Sequence, residues 1–562
     1  MRQIRFDEPY RLGSKTIYGR FVIPSGIRAT HASNIHKCFR EIPSIGVVTT
    51  KSISAAPRAG YREPIYARYA PGCYINAVGL ANPGAEAFLK EFEGLATPPD
   101  KFLLVSLMGS DVESFVQAAQ TLLPAADGFE LNMSCPHAKG YGVEVGQDEN
   151  LLFEITRAIV RLSGKPVFVK MSPMLPNLGE SCRAAIAAGA TGLTLINTAG
   201  PAMAAHGCDP ILSNRYGGLS GDGIRPLGLR AVEQARKAVG DEPWIIGMGG
   251  IASPEHVRQY AAAGADLFGV GSALTGLDSA QMRDYFERLQ SDLCAGRGER
   301  YERSCETALP MDYTRVRVAA RVDYDETLFK LILDRLPGDP SDGDLAGKFY
   351  FLWGPGAGEK PLAVFSAAEK SIVVRSVGCF TRYLAGLSAG AELYLRGPYG
   401  AGFPNITGCT AVLVGGGTGI ASILEIACRL RGSNRLAFLL GARTAKHLFD
   451  VERFGELGPV YLATDDGTLG LRGLVPSLLP EVVESLPSDQ RRDLVFINCG
   501  PEPMVRKCFE LQRAWAPPER IYGSIEYMTS CGVGICGKCA SPSGALTCID
   551  GPFLPLREFE RP

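Results

Sequence analysis

Between residues 21 and 292, short apolar runs alternate with stretches of helical periodicity, and this alternation restricts the fold more than any other pattern in the chain. Parallel strands that are buried on both faces are typically continuous apolar runs, and amphipathic helices connect them. Eight such runs occur, each followed by a predicted helix: FVIPSGI, IGVVTTKS, FLLVSLMG, GFELNMSC, PVFVKMS, GLTLINT, PWIIGMGG and LFGVGSA. Eight repeated units favour a (β/α)8 TIM barrel.

The remainder of the chain changes its periodicity twice. After a barrel domain over 1–292, residues 293–312 mix charges with glycine and predict a linker. Period-two alternation over 313–405, in TRVRVAARV, TLFKLILD, SIVVRSV and AELYLRGPYG, predicts a small antiparallel β-barrel. An α/β rhythm returns over 406–523, and residues 524–562 hold a cysteine cluster. We therefore predict an α/β protein with four domains.

Composition excludes several classes of partner. The formal net charge is -1 and 46% of the residues are hydrophobic, so neither nucleic-acid binding nor disorder is expected. The N-terminal residues lack an apolar export segment, and no run of about 18 apolar residues predicts a membrane span. We expect a cytoplasmic protein that binds small molecules, in which the 16 cysteines serve metal, redox or packing roles rather than a disulfide framework.

The strongest local motif is SCGVGICGKCASPSGALTC near the C-terminus. Its cysteines follow C-x4-C-x2-C with a fourth cysteine nine positions later, which is typical of plant-type [2Fe–2S] proteins. The predicted ligands are Cys531, Cys536, Cys539 and Cys548. Structural zinc is the alternative, although zinc sites usually pair two CxxC-like knuckles and this motif has one.

A second motif is typical of nucleotide binding. The glycine turn between an apolar strand and a helix could hold a pyrophosphate on backbone amides, and it consists of Gly415, Gly416, Gly417, Thr418 and Gly419. A tight structural turn is the alternative, but NCGPEPMV at 498–505 supplies a second turn at a strand end. With the preceding β-barrel, this region resembles the ferredoxin-reductase family. That resemblance implies FAD on the barrel and NAD on the sheet, with Cys499 and Gly500 near the nicotinamide.

The FAD contacts implied by the resemblance depart from the family pattern. The family's Arg-Pro-hydrophobic-Ser turn is matched by Lys360, Pro361, Leu362 and Ala363, which keep a cation and the proline and lose the hydroxyl. Gly378 and Thr381 are the further implied contacts, and Phe380 stands where the family usually has glycine. With TDDGTLGLRGLV at 464–475 and the C-terminal cysteines, this half is similar to the electron-transfer subunit of two-subunit dihydroorotate dehydrogenases.

Polar residues follow the predicted barrel strands, at the end where TIM-barrel chemistry lies. They include Lys51, Asn132, Ser134, Cys135, Lys170, Asn197 and Thr198. A single lysine or cysteine at such a position is more often a rim or core residue, but their joint arrival at one end predicts an active site. The glycines and serine that end strands seven and eight, Gly249, Gly250, Gly271 and Ser272, predict a phosphate site for FMN.

The barrel resembles the class 1 dihydroorotate dehydrogenases over roughly residues 20–275, through TTKS, NAVGLANPG, ELNMSCPH, FVKMSP, LINTAG, GGLSG, GMGGI and GVGSAL. The resemblance assigns the substrate to Lys51, Asn76, Ala77, Val78, Gly79, Leu80, Asn132, His137, Asn197 and Thr198. It assigns FMN to Ser25, Lys51, Ser52, Asn132, Lys170, Ile196, Gly221, Gly249, Gly250, Gly271 and Ser272.

The implied reaction removes a proton from C5 of dihydroorotate and a hydride from C6, so it needs a base on one side and a flavin on the other. Cys135 is the implied base and acts as a thiolate; an unperturbed thiol has a pKa of about 8.5. Lys51 is the second implied catalytic residue. Lys170 would stabilise the anionic reduced flavin. His137 stands where many relatives have asparagine. The same Cys-Pro-His run occurs in dihydropyrimidine dehydrogenases, which are the alternative assignment.

Together these resemblances predict a 1B-type dihydroorotate dehydrogenase fused to its electron-transfer partner. The hypothesis is a path from dihydroorotate through FMN, the [2Fe–2S] cluster and FAD to NAD, in a homodimer paired through the barrels. Two alternatives stay open: a dihydropyrimidine dehydrogenase, and an NADH-dependent electron-transfer protein with a silent barrel. The sequence does not decide between NAD and NADP.

Overall fold

The computed structural model describes residues 4–133, 148–298, 310–341 and 343–560. Its backbone forms two compact units, Met1–Leu309 with Val533–Lys538 and Pro310–Gly532 with Cys539–Pro562. Within the described ranges, no helix is both long enough and apolar enough to cross a membrane. The predicted linker over 293–312 includes residues outside those ranges, and the proposed domain bounds stay a prediction.

The first unit is built on a closed barrel of eight parallel strands, which confirms the predicted fold class. The strands are β1 (Phe21–Ile23), β2 (Ile45–Thr49), β3 (Phe102–Leu107), β4 (Gly128–Asn132), β5 (Val167–Met171), β6 (Gly192–Leu195), β7 (Trp244–Met248) and β8 (Leu267–Gly269). All eight lie within the predicted apolar runs. Each strand pairs in parallel with its neighbours in sequence, and β8 closes the barrel against β1.

Among the described residues, eight helices surround this barrel: α1 (Ala32–Glu41), α2 (Ala85–Glu91), α3 (Val112–Leu122), α4 (Glu149–Ser163), α5 (Leu178–Ala187), α6 (Arg225–Val239), α7 (Pro254–Ala263) and α8 (Ser279–Cys294). Local sequence explains where several begin. The Asp111 side chain accepts from the Ser114 backbone N–H to start α3, and Asp278 with Gln281 forms a similar capping box for α8.

The two ends of the barrel differ. A hairpin of Tyr10–Leu12 and Lys15–Ile17 packs its apolar side chains into the cluster at the amino ends of the strands. At the carboxyl ends, insertions after β2 and β6 form a four-stranded antiparallel sheet of Ala199–Ala202, Gly217–Gly221, Cys73–Asn76 and Tyr66–Ala70. The carboxyl end is therefore the side on which a site can be built.

The second unit contains two sheets. Six antiparallel strands form the first: β9 (Thr314–Asp323), β10 (Leu328–Leu333), β11 (Phe349–Gly354), β12 (Gly358–Ala363), β13 (Ser371–Arg375) and β14 (Glu392–Tyr399). Their order is β12-β11-β14-β9-β10-β13. Helix α9 (Cys379–Ala385) follows β13. All four period-two segments of the sequence lie in this sheet, as predicted.

The second sheet is largely parallel, which agrees with the predicted Rossmann-like rhythm. Its strands are β15 (Thr410–Gly416), β16 (Arg435–Ala442), β17 (Val460–Thr464), β18 (Leu471–Arg472), β19 (Leu494–Cys499), β20 (Ile521–Ser524) and β21 (Leu554–Pro555). The order is β18-β17-β16-β15-β19-β20-β21, and β21 alone of these pairs antiparallel. The helices are α10 (Gly419–Leu430), α11 (Val451–Gly455), α12 (Leu479–Ser485) and α13 (Glu502–Gln512).

Candidate active site

Polar side chains on or just after five barrel strands meet at the carboxyl end of the barrel, and Ser52 lies at their centre. Its Oγ lies 3.2 Å from Ser25 Oγ and 3.0 Å from Ser106 Oγ. Asn132 Nδ2 donates to Ser52 Oγ at 2.9 Å, and Asn197 Nδ2 donates to Asn132 Oδ1 at 3.3 Å. Four of these five residues were predicted from strand-end positions or the family resemblance. The structure brings them into one hydrogen-bonded network.

A buried ion pair lies against this network. Lys170, on β5, has its Nζ 3.8 Å from Oε1 of Glu130 on β4, and the two side chains are 5% and 0% exposed. Ser106 Oγ donates to the same Glu130 oxygen at 3.2 Å. The sequence analysis missed Glu130 and Ser106. The available signal was a carboxylate in the middle of the apolar run GFELNMS, because a charge is rarely buried without a partner.

The other predicted substrate residues lie in the insertions at the same end. Asn76 ends the strand Cys73–Asn76 and donates from Nδ2 to the Gly218 carbonyl at 3.2 Å. The turn that follows contains Ala77, Val78, Gly79 and Leu80; the Val78 carbonyl accepts from the Tyr61 N–H at 3.1 Å. Gly79 has φ 73°, and a Cβ there would lie 2.7 Å from Tyr61, so this turn requires glycine.

Lys51 and Thr198 lie beside the strand ends. The Lys51 backbone N–H donates to the Ala29 carbonyl at 2.8 Å, and a Cβ on Gly26 would lie 3.4 Å from Lys51 Nζ. The Thr198 N–H donates to Oδ1 of Asn197 at 2.8 Å. Both residues therefore have their backbones fixed next to the polar network.

Three of the glycines predicted to contact FMN adopt positive φ. Gly249 and Gly250 follow β7 with φ of 119° and 71°, and Gly221 has φ 90° with a Cβ position 2.0 Å from the Gly72 carbonyl. Side chains would be strained or would clash there. Ile196 donates its N–H to the Met248 carbonyl at 3.2 Å, and Gly271 precedes the 3-10 turn Ser272–Leu274.

The predicted base falls outside the described residues. Ser134, Cys135 and His137 lie in 134–147, directly after Met133. Asn132, two residues before Ser134, is the last residue of β4 and is 7% exposed. The roles of Cys135 and His137 therefore stay predictions.

Comparison with known proteins identifies the barrel. The family model described as dihydroorotate dehydrogenase matches residues 15–293. The dihydroorotate dehydrogenase B (NAD(+)) catalytic subunit of Pyrococcus horikoshii is 40% identical over 272 residues, 48% of this chain and 84% of that protein. The chain belongs to the dihydroorotate dehydrogenase family. It is therefore an oxidoreductase.

Other relatives support the same family. The dihydroorotate dehydrogenase B (NAD(+)) catalytic subunit of Thermoplasma volcanium is 35% identical over 291 residues, 51% of this chain and 94% of that protein. A solved structure titled as an NADH-dependent reduced ferredoxin-NADP oxidoreductase has 25% identity and a TM-score of 0.39 over 43% of this chain and 88% of that chain. A TM-score this low does not establish a shared fold.

Beyond the family match, the second unit contains a cavity of about 1490 Å³. The residues predicted for FAD and for NAD line this same cavity: Lys360, Pro361, Leu362, Ala363, Gly378, Thr381, Gly416, Gly417, Thr418, Gly419, Cys499 and Gly500. Gly415 instead packs beneath α10, since a Cβ there would lie 2.9 Å from Ile423. Arg443, Asp465 and Ser422 also line the cavity and were missed, because no motif distinguishes them.

The part of this cavity that is predicted to hold the nicotinamide depends on close backbone contact. A Cβ on Gly419 would lie 2.3 Å from the Cys499 carbonyl, so α10 approaches β19 only with glycine there. Burial raises the pKa of the Cys499 thiol to about 11, and the hydroxyls of Ser422 and Ser524 partly oppose that shift. Cys499 is therefore a neutral thiol near pH 7, hydrogen-bonded inside the cavity.

In the part of the cavity that is predicted to hold FAD, the Thr381 hydroxyl is already engaged. Thr381 Oγ1 accepts from the Gly378 N–H at 2.9 Å and from the Val377 N–H at 3.0 Å, which caps the start of α9. Its position on the cavity wall is therefore explained by helix capping.

The four predicted cluster cysteines are all buried. Cys531, Cys539 and Cys548 lie in the second unit, and Cys536 lies in the segment that belongs to the first. Hydrogen bonding with the Cys531 and Cys539 thiols raises the pKa of Cys548 well above its usual value, so these three lie together. Within the described part of the chain, no group of three or more His, Cys, Asp or Glu side chains has metal-site geometry.

Proposed function

We propose that this family member oxidises dihydroorotate to orotate at the barrel and passes the electrons through FMN, a [2Fe–2S] cluster and FAD to NAD. The polar network at the carboxyl end of the barrel is the observation that carries the proposal. It joins Ser25, Ser52, Asn132 and Asn197 in a barrel that is 40% identical to a dihydroorotate dehydrogenase B catalytic subunit.

The residues at this end fit FMN. Lys170 contributes a buried ammonium that would stabilise an anionic flavin, and Gly249 and Gly250 offer a backbone that a Cβ would obstruct. Bound FMN would accept the hydride from C6 of the substrate. Asn132 and Asn197 combine amide donors with carbonyl acceptors, which suits the alternating N–H and C=O groups of a ureide ring.

Proton removal is assigned to Cys135 as a thiolate, with Lys51 beside the site to favour the anion. Asn76 to Leu80 form the turn that would cover the substrate, and His137 would donate a hydrogen bond to it. Since serine has a far higher pKa than cysteine, Cys135→Ser should slow dihydroorotate oxidation and shift its pH dependence upward. NADH-driven reduction of an artificial acceptor should stay native, and unchanged dihydroorotate turnover would remove Cys135 from the base role.

The second unit is proposed to carry FAD and NAD in its cavity of about 1490 Å³. Support comes from the glycine contact between α10 and β19 and from the mixed cationic and apolar wall around Lys360. The cavity is larger than the roughly 300–1,000 Å³ of a typical pocket for one drug-sized ligand, which supports the binding of larger cofactors.

A [2Fe–2S] cluster is proposed on Cys531, Cys536, Cys539 and Cys548. The spacing supports it, and so does the backbone: Gly532 has φ 80°, and a Cβ there would lie 2.6 Å from Phe351. A buried set of thiols without disulfides fits a thiolate-bound metal group. The cluster would accept and release single electrons. Iron and sulfide analysis with electron paramagnetic resonance would distinguish it from zinc.

The decisive experiment is a steady-state assay of the full chain with dihydroorotate, dihydrouracil and NADH. Dihydroorotate-dependent NAD reduction supports the proposal, and a preference for dihydrouracil would favour a dihydropyrimidine dehydrogenase. NADH oxidation without either pyrimidine activity would indicate a silent barrel. Anaerobic reduction by dihydroorotate should bleach flavin and produce a paramagnetic cluster signal. We further propose pairing through the barrels, which light scattering would test against a monomer.

A further inference from the structure

A buried carboxylate with no role in the proposed reaction lies beneath the barrel site. Glu130 has no exposed surface, and its Oε1 contacts both Ser106 and Lys170. Its Oε2 has no hydrogen-bond partner among the residues that the structure describes. A buried ionised carboxylate is costly, by several kcal/mol, unless charge or hydrogen bonds compensate it. Its presence next to Lys170 therefore needs a functional explanation.

The hydrogen bonds that end on Glu130 have a defined direction. A carboxylate only accepts hydrogen bonds, so the Ser106 hydroxyl donates its one hydrogen to Glu130. The Ser106 oxygen must therefore accept from the Ser52 hydroxyl. The Ser52 hydrogen is then used, and its oxygen accepts from Asn132 Nδ2. Asn132 Oδ1 in turn accepts from Asn197 Nδ2. Every donor along this chain points toward Glu130.

We propose that Glu130 is an ionised positioning residue with two effects on the site. It fixes the polarity of the hydrogen-bond chain, which orients the amide of Asn132 with Nδ2 toward Ser52 and Oδ1 toward Asn197. A reversed chain would exchange the donor and acceptor that Asn132 presents. It also balances the charge of Lys170. The inference rests on the proposed function, since bound FMN is the reporter.

The charge balance has a predictable sign. Lys170 favours an anionic reduced flavin, and the Glu130 carboxylate 3.8 Å away opposes that effect. Without the carboxylate, the uncompensated ammonium should bind reduced FMN more tightly relative to oxidised FMN. Without the ammonium, the carboxylate should make reduced FMN bind less tightly relative to oxidised FMN.

The test measures the midpoint potential of FMN in the full-length holoprotein, expressed as the ratio of reduced to oxidised FMN affinity. Glu130→Gln should raise this ratio about tenfold, and Lys170→Gln should lower it by a similar factor, as expected for one buried charge. The double variant should return to within about threefold of the native ratio. Thr194→Val is the control, because Thr194 Oγ1 is buried on β6 and has no hydrogen-bond partner in the described structure.

Ser106→Ala separates the two effects, because it cuts the chain and keeps both charges. It should leave the affinity ratio unchanged and raise the KM for dihydroorotate about fivefold, the cost of one lost hydrogen bond. An unchanged KM would overturn the polarity effect. A native ratio in FMN-loaded Glu130→Gln would overturn the charge effect.

Should Glu130→Gln not fold, Lys170→Gln and the double variant still differ by the Glu130 charge alone, and equal ratios in those two would overturn the charge effect. A native chain that binds no FMN would overturn the proposed function and this inference together. That outcome differs from FMN binding with an insensitive potential, which contradicts the inference alone.

Discussion

A buried ion pair in the second unit gives a stability prediction with a defined size. Glu359, on β12, accepts from Arg396 Nε at 2.6 Å and Nη2 at 2.7 Å, and from the Tyr313 hydroxyl at 2.7 Å. The Glu359 and Arg396 side chains are 0% and 2% exposed. Arg396 Nη1 also donates to the Cys531 carbonyl at 3.0 Å. The pair therefore supports the backbone of a predicted cluster ligand.

The pKa shifts in this cluster indicate strong coupling. Burial by itself would lower the pKa of Arg396, and the charge of Glu359 reverses that shift and holds it well above the usual value. Burial, followed by the Glu359 charge, raises the pKa of Tyr313 well above its usual value. Tyr313 therefore stays a neutral donor, and Glu359 is the group that compensates the guanidinium.

Glu359→Gln keeps the shape and removes the charge, so it leaves a buried guanidinium without its counter-ion. Loss of one partner of a buried pair costs about 3–5 kcal/mol. Because glutamine keeps one acceptor oxygen, we expect about 3 kcal/mol of lost stability in this sheet. Glu359→Gln/Arg396→Met should recover much of it, since an apolar replacement of both partners is often neutral.

The assay is native-state hydrogen exchange of the β12 and β14 amides, analysed by mass spectrometry as an opening free energy. Glu502→Gln is the matched control, because its pair with Arg506 is about half exposed and should contribute less than about 1 kcal/mol. An opening free energy for Glu359→Gln within about 1 kcal/mol of the native value would refute the reasoning.

Three further predictions concern the cluster, the nicotinamide site and a helix cap. Cys536→Ala should abolish the paramagnetic cluster signal, whereas Cys508→Ala, at a buried cysteine of α13 outside the motif, should retain it. A signal that survives in Cys536→Ala would exclude Cys536 as a ligand. Gly419→Ala should reduce NADH-driven acceptor reduction at least about tenfold, because its Cβ would lie 2.3 Å from a backbone carbonyl oxygen. Dihydroorotate-driven flavin bleaching should persist, and a native rate with NADH would contradict the prediction. The backbone N–H of Ser114 holds the pKa of Asp111 below its usual value. The stability that the ionised Asp111 cap contributes is therefore present above about pH 4 and is lost as pH falls through the lowered pKa. Asp111→Asn should flatten that part of the pH–stability curve in thermal melts, and an unchanged slope would argue against the cap.

Much of the fold could be predicted because strand and helix periods are local properties. All eight barrel strands and four of the seven strands in the second sheet, β15, β16, β17 and β19, follow from apolar runs whose length and spacing depend only on neighbouring residues. Site residues such as Lys170 and Asn197 were predictable as well, since any polar residue at the carboxyl end of a parallel strand must face the same edge. The glycine turn at 415–419 carried its own local signal.

Contacts between distant segments were not predictable. Nothing in GEKPL or LYLRGPY indicates that Glu359 meets Arg396, since their pairing depends on the register of β12, β11 and β14. Nor does any pattern show Ser422 beside Cys499, because that contact requires α10 to pack on β19 at a glycine.

Local periodicity and motif spacing thus determined the fold class, the family resemblance and the end of the barrel that carries the site. Tertiary structure alone decided which buried groups compensate one another, as in the chain from Asn197 to Glu130 and the pair of Glu359 with Arg396. The physical reason is that apolar burial is non-directional and tolerates many registers, whereas hydrogen bonds and ion pairs need specific atoms within about 3 Å. Such atoms meet only after the strands have paired.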